Sequence, residues 1–125
     1  MSYFFAINTI KYLLTGRYLQ MQELTKTEEV IMLTVWKMEK DISLSSITEA
    51  VKYEPRAKTW KPQTISTYFR KLAEKKYIKM IRNGKDYTYK PLITKEKYCE
   101  LQLNNLFHYY FDGDKETLIN SVNNL

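Results

Sequence analysis

Asn83-Gly84 separates two short segments of alternating polarity, Tyr77-Ile78-Lys79-Met80-Ile81-Arg82 and Lys85-Asp86-Tyr87-Thr88-Tyr89-Lys90. Asn and Gly both tolerate positive φ, so this dipeptide predicts a tight β-hairpin with Asn83 and Gly84 as its turn residues. The stretch before it, Trp60 to Lys76, reads as a helix. Pro62 suits a first helical turn, and Ile65, Phe69 and Leu72 recur at i, i+4 and i+7 to make one inward stripe. The hairpin therefore follows directly on an amphipathic helix, and that order restricts the fold.

Two further helices precede this pair. Thr25 and Glu28 have capping-box spacing, and Ile31, Met32, Val35 and Trp36 follow in helical rhythm, which predicts a helix to about Lys40. Asp41 to Leu44 leave room for a short extended piece. Ser45 or Ser46 is then expected to cap a second helix that ends before Pro55. Helix, short strand, helix, turn, helix and hairpin in that order predict a winged helix-turn-helix: mainly α, with a small β wing.

The outward positions of the third helix are Gln63, Thr64, Ser66, Thr67, Arg70 and Lys71. Short hydrogen-bonding groups at its start suit base edges, and cations further along suit phosphates. Gln63, Thr64 and Thr67 are expected to face bases, with Ser66 as a weaker member. Gln can bond adenine in a bidentate way, and threonine methyls can meet thymine methyls. Lys58, Lys61, Arg70, Lys71 and Lys75 are expected phosphate contacts near the helix, with Arg82 and Lys85 on the wing. The bland readings are that a threonine bonds its own helix and that each cation belongs to a solvated surface. Tyr87 and Tyr89 are expected to pack rather than stack on bases.

Charge distribution agrees with a polyanion partner. The formal net charge is +6, and residues 51 to 90 carry twelve Lys or Arg against Glu54, Glu74 and Asp86. The rest of the chain is mildly acidic. At 125 residues the chain has room for one modest core plus helical appendages. Its one cysteine, Cys99, and one histidine, His108, assemble neither an internal disulfide nor a familiar metal constellation, so no metal and no cofactor are expected. A reducing, cytoplasmic setting follows. No nucleophile–base pairing, carboxylate dyad or phosphate-cradling glycine loop is visible, which disfavours an enzyme. His108 reads as an interface or surface residue.

Residues 1–20 are apolar and aromatic, with Tyr3, Ile7, Ile10 and Leu14 at helical spacing. Asn8, Thr9, Lys11 and Arg17 interrupt the run, so no membrane insertion is expected. Two readings stand for it: an extra packing or dimer-contact helix, or sequence upstream of a start at Met21. Beyond the wing, Pro91 closes the hairpin and Thr94 is expected to cap a further helix. That helix carries more apolar residues than one small domain covers: Tyr98, Leu101, Leu103, Leu106, Phe107, Tyr110 and Phe111. Asp112-Gly113-Asp114 breaks it, and a last helix carries Leu118, Ile119 and Val122. Apolar residues on such appended helices predict a partner chain, most simply a symmetric dimer. The expected organisation is an N-terminal extension at 1–20, a winged-helix DNA-binding domain at 21–92 and a helical dimerisation region at 93–125.

With its elements in this order the chain resembles the penicillinase and methicillin-resistance repressor family, winged-helix transcriptional repressors, from about Leu24 to Val122. The residues that carry the resemblance are Leu24-Thr25-x-x-Glu28, Ile31-Met32, Val35-Trp36, Trp60-x-Pro62-x-Thr64-Ile65-x-Thr67, Arg70-x-Leu72, Lys75-Lys76, and Tyr87-x-Tyr89. The resemblance implies a homodimer on a palindromic operator in double-stranded DNA, silencing genes that often confer β-lactam resistance. It implies a recognition helix in the major groove, C-terminal helices that form the dimer, and an inducing protease whose cleavage in that region releases the operator. The chain departs from the family pattern at several positions. Glu29 stands where tryptophan is common, Lys61 where serine usually caps the recognition helix, and Gln63 and Ser66 where basic residues are frequent. These differences predict a distinct operator sequence. Asn120-Ser121-Val122 stands near the usual Asn-Phe-like cleavage position, and Cys99 does not reproduce the paired Cys-x-Cys motifs of the copper-responsive relatives. The competing reading from the fold is a winged-helix protein-interaction module without specific DNA binding.

Overall fold

The computed structural model describes residues 22–39 and 42–125, so the helix expected within 1–20 lies outside the described residues. Two compact units divide the chain after Lys95.

The first unit begins with α1, Lys26–Lys37, entered through the expected capping box. The Thr25 side chain accepts from the Glu28 N–H, and the Glu28 carboxylate accepts from the Thr25 N–H. Helix α1 ends at Lys37, three residues short of the expected Lys40. Helix α2, Leu44–Ala50, runs into a 3-10 turn at Val51–Tyr53. Its N-cap is Ser43, earlier than the expected Ser45 or Ser46. Ser43 and Ser46 bond each other's backbone N–H, so the shorter Ser46 takes the role that Glu or Gln plays in the usual capping box. Helix α3, Pro62–Glu74, has Pro62 in its first turn and buries Ile65, Phe69 and Leu72 completely.

Helix α3 ends in a Schellman motif: Lys76 donates to the Ala73 carbonyl and Tyr77 to the Leu72 carbonyl. This closure requires a left-handed residue, and Lys76 takes φ 69° where glycine usually stands. The chain then enters the antiparallel hairpin β1, Ile78–Asn83, and β2, Asp86–Pro91. Asn83 pairs with Asp86, so Gly84 and Lys85 form the two-residue loop. The expected Asn83-Gly84 turn is therefore shifted by one residue. Gly84 alone has positive φ, at 65°, which matches a turn that asks for glycine only at its first central position. The expected extended piece before α2 survives as a single bridge between Ser43 and Thr88, with the Tyr89 N–H donating to the Ile42 carbonyl.

The core of this unit gathers Ile31, Met32 and Val35 of α1, Ile47 of α2, the α3 stripe, and Ile78 and Tyr89 of the wing. Phe69 and Tyr89 stack at 4.0 Å between centroids and 13° between planes, which presses the wing onto α3. Trp36 Nε1 donates to the Ile93 carbonyl and fixes the segment leaving the wing. The result is a three-helix winged arrangement with a two-stranded wing.

Among the described residues the second unit begins within α4, Lys95–Asn105, and continues through a π-helical turn at Leu106–Tyr110 and α5, Lys115–Asn123. The break expected at Asp112-Gly113-Asp114 is present, with Asp112 and Gly113 both at positive φ. Asp114 caps α5 by accepting from the Thr117 N–H and hydroxyl, which holds its carboxyl below the ordinary value.

Candidate nucleic-acid interface

Helix α3 is held by its buried stripe, and this fixes what it turns outward. Gln63, Thr64, Thr67, Arg70 and Lys71 are exposed, and Ser66 is half-buried on the side toward the wing. A groove of about 750 Å³ runs between α3, the wing and the start of α2. Ser66 and Arg70 line it from α3, Asn83, Lys85, Asp86 and Thr88 from the wing, and Ser43 and Ser45 from the entry to α2. Hydroxyls from three elements and the cations Arg70 and Lys85 therefore line one concavity, beside the Asp86 carboxylate and the apolar Leu44, Met80 and Tyr89, and these hydroxyls and cations suit phosphate oxygens.

The expected contact residues are not all equivalent. Thr67 Oγ1 donates to the Gln63 carbonyl one turn back, so its hydroxyl is engaged with its own helix while its methyl remains outward. Arg82 Nε donates to the Gly84 carbonyl, folding the guanidinium over the wing turn next to Lys85. Lys58 and Lys61 are exposed ahead of α3, and Lys61 gives the helix no side-chain cap. Trp60 packs beside that entry, stacked on Tyr68 at 5.5 Å between centroids, and the Lys71 ammonium lies 5.4 Å from the Tyr68 ring centroid.

Lys75 differs most from expectation. Its ammonium lies 2.7 Å from Glu28 Oε1 and also donates to the Glu23 carbonyl, with only 19% of the side chain exposed. It is a structural cation that neutralises a buried carboxylate. Burial raises the Glu28 pKa, but the Lys75 ammonium and the Thr25 donors outweigh it and hold the carboxyl below its ordinary value of 4.5. The Tyr77 hydroxyl donates to the Gln22 carbonyl beside this pair, and burial together with the surrounding carboxylates pushes Tyr77 up to about 12. Tyr87 is exposed and lines the groove, against the expectation that both wing tyrosines pack; only Tyr89 does.

Ser43, Ser45, Asp86 and Thr88 were not among the expected contact residues. Ser43 and Ser45 precede or begin a helix distant in sequence from α3, and only the tertiary fold brings them to the groove. Thr88 lines the groove together with its neighbours Tyr87 and Tyr89, so strand alternation by itself does not single it out.

Residues 24–124 match the model of the penicillinase repressor family. The chain belongs to this family. A penicillinase repressor of Bacillus licheniformis is 23% identical over 97 residues, which cover 78% of this chain and 73% of that protein. The solution structure of the Bacillus licheniformis BlaI monomeric form in complex with the blaP half-operator is similar at 23% identity and a TM-score of 0.50, over 62% of this chain and 90% of that one. The penicillinase repressor match extends through the second unit to residue 124, so it includes the residues expected to form a dimer. Of these, Tyr98 is already buried within the chain and has little area to offer a partner. Leu106, Tyr110, Ile119 and Val122 are well exposed, whereas Leu101, Phe107, Phe111 and Leu118 are half-buried. Leu103 and Tyr109 add exposed apolar area. His108 is half-buried with its ring 4.7 Å from that of Phe107. Among the described residues no helix is long and apolar enough to cross a membrane.

Proposed function

We propose that this penicillinase repressor family member is a sequence-specific DNA-binding transcriptional repressor that acts in the cytoplasm. The observation that carries the reading is the outward face of α3 beside a groove in which Arg70, Lys85 and several hydroxyls converge. The Bacillus licheniformis relative is described in complex with a half-operator, which supports duplex DNA as the partner. In this reading Gln63, Thr64, Thr67 and Ser66 meet base edges. Lys58, Lys61, Arg70, Lys71, Arg82 and Lys85 hold phosphates. Lys75 is left out because its ammonium is committed to Glu28.

The chain acts as a homodimer on a palindromic operator, with the exposed apolar residues of the second unit as the interface. A titration with duplex DNA from its own promoter, against scrambled duplex at two salt concentrations, tests the DNA reading. Tighter binding to promoter DNA is expected; equal affinity for scrambled DNA overturns it in favour of a protein-interaction module. Sedimentation at micromolar concentration tests the dimer, and a lone 15.0 kDa species counts against it.

A further inference from the structure

Helix α3 is entered without a side-chain cap, because Lys61 makes no such bond. The residue before it is anchored in another way. The Trp60 N–H donates to the carbonyl of the buried Ala57, and its indole stacks on Tyr68 two turns into the helix, at 5.5 Å and 30°. Tyr68 lies at the flank of α3, half-buried, between the inward stripe and the outward face. One turn on, the exposed Lys71 reaches back so that its ammonium is 5.4 Å from the Tyr68 centroid.

A lysine stem is flexible and loses much rotamer entropy when its ammonium is fixed. An ammonium within about 6 Å of an aromatic centroid is held by the ring quadrupole. The ring is itself restrained by Trp60, so the cation rests on a surface that does not swing with it.

We propose that Tyr68 is a positioning residue for DNA affinity: backed by Trp60, its ring holds the Lys71 ammonium on the outer face of α3 before DNA arrives. The proposal rests on the DNA-binding reading above. Part of the ordering cost of a Lys71–phosphate contact is then met by the free protein, so the complex gains affinity without an added contact.

Promoter duplex binding by Tyr68→Leu, Tyr68→Phe and Lys71→Met, and by Tyr68→Leu combined with Lys71→Met, tests the proposal. Melting curves check each fold. Tyr68→Leu is expected to weaken binding about three- to tenfold through loss of the cation–ring contact. Tyr68→Phe, which keeps the ring, is expected to bind like the wild type. In the Lys71→Met background, Tyr68→Leu is expected to change affinity less than about twofold, since coupled residues are non-additive. A merely structural role gives the same loss in both backgrounds and overturns the proposal, as does loss in Tyr68→Phe. In the DNA-free protein, the Lys71 ε-methylene protons should be ring-shifted upfield in the wild type and Tyr68→Phe and not in Tyr68→Leu. Wild-type protein that shows no preference for its promoter sinks the repressor reading and this role with it. Normal wild-type binding with an unaffected Tyr68→Leu sinks only the role of Tyr68.

Discussion

Lys75 Nζ meets Glu28 Oε1 at 2.7 Å, joining the C-terminal end of α3 to the first turn of α1. Glu28 is 1% exposed, and its other oxygen, Oε2, has no hydrogen-bond partner among the described residues. The carboxylate is therefore satisfied on one side only, and Lys75 is its counter-charge. Removing the partner of a buried ion typically costs about 3–5 kcal/mol, and the partial exposure of Lys75 lowers this to about 2–3 kcal/mol. Lys75→Met should destabilise by that amount in urea denaturation. Glu28→Gln, which retains the capping geometry, should cost less.

The same pair sets an acid limit. The Glu28 pKa is lowered in the folded protein, so its stabilisation is present above the unfolded value of 4.5 and is lost as pH falls through the folded value. Tyr77 sets the opposite limit. Its folded pKa is raised from 10.0 to about 12, so its contribution is intact below pH 10.0 and declines as pH rises toward the folded value. Urea midpoints across both ranges should show the two limbs. Glu28→Gln should flatten the first and Tyr77→Phe the second.

Backbone conformation gives a pair of opposite expectations. Lys76 occupies the left-handed position of the Schellman motif at φ 69°. Replacing it with glycine removes a left-handed penalty of about 1–2 kcal/mol, partly offset by the greater chain entropy of glycine, for a net gain of about 0.5–1 kcal/mol. Gly84, at φ 65°, has open space where a Cβ would go. Gly84→Ala should therefore lose only that backbone term, about 1–2 kcal/mol. Thermal melting should move upward for the first variant and downward for the second.

Phe69 and Tyr89 carry the wing. Phe69 is fully buried and stacks on Tyr89 at 4.0 Å. Phe69→Ala should cost about 3–5 kcal/mol in chemical denaturation. A double-mutant cycle with Tyr89→Leu should find about 0.5–1.5 kcal/mol of coupling beyond area burial. Independent, additive losses would show that the wing is held by other contacts.

The interface residues separate by salt dependence. Arg70→Gln and Lys85→Gln should each weaken promoter binding and reduce the slope of log K against log salt by about 0.9, the loss of one phosphate contact. Gln63→Ala should leave that slope unchanged and relax discrimination at one base pair by about 1–3 kcal/mol. Binding titrations from low to moderate salt on matched and single-substituted duplexes distinguish the two classes. A slope altered by Gln63→Ala assigns it to the phosphate class.

Local patterns were enough for the helices and the hairpin. The capping box at Thr25 and Glu28, Pro62 in a first turn and the Ile65, Phe69, Leu72 stripe depend on neighbours within one or two turns, and each is present as read. Local reading erred where two local solutions compete. Asn83-Gly84 permitted a two-residue loop at either Asn83-Gly84 or Gly84-Lys85; the chain takes the second, which moves the pairing by two residues, leaves every wing side chain on the same face and sets Tyr89 opposite Met80. Ser43 displaced Ser45 and Ser46 as the cap of α2, since the bridge to Thr88 ends the extended segment there.

Charge was the least legible property. The twelve cations between residues 51 and 90 marked a basic segment, but a lysine's letter does not say where its ammonium rests. Lys71 and Lys75 are four residues apart on one helix: the first lies outward over Tyr68, and the second turns inward to a carboxylate 47 positions away in sequence. The sequence by itself determined the order of elements, the buried stripe and the family pattern, because these follow from local periodicity and residue type. Only the tertiary structure decided which cations remain available, which hydroxyls reach the groove and how the wing is registered on α3. Those outcomes depend on distances between segments far apart along the chain, which no local pattern encodes.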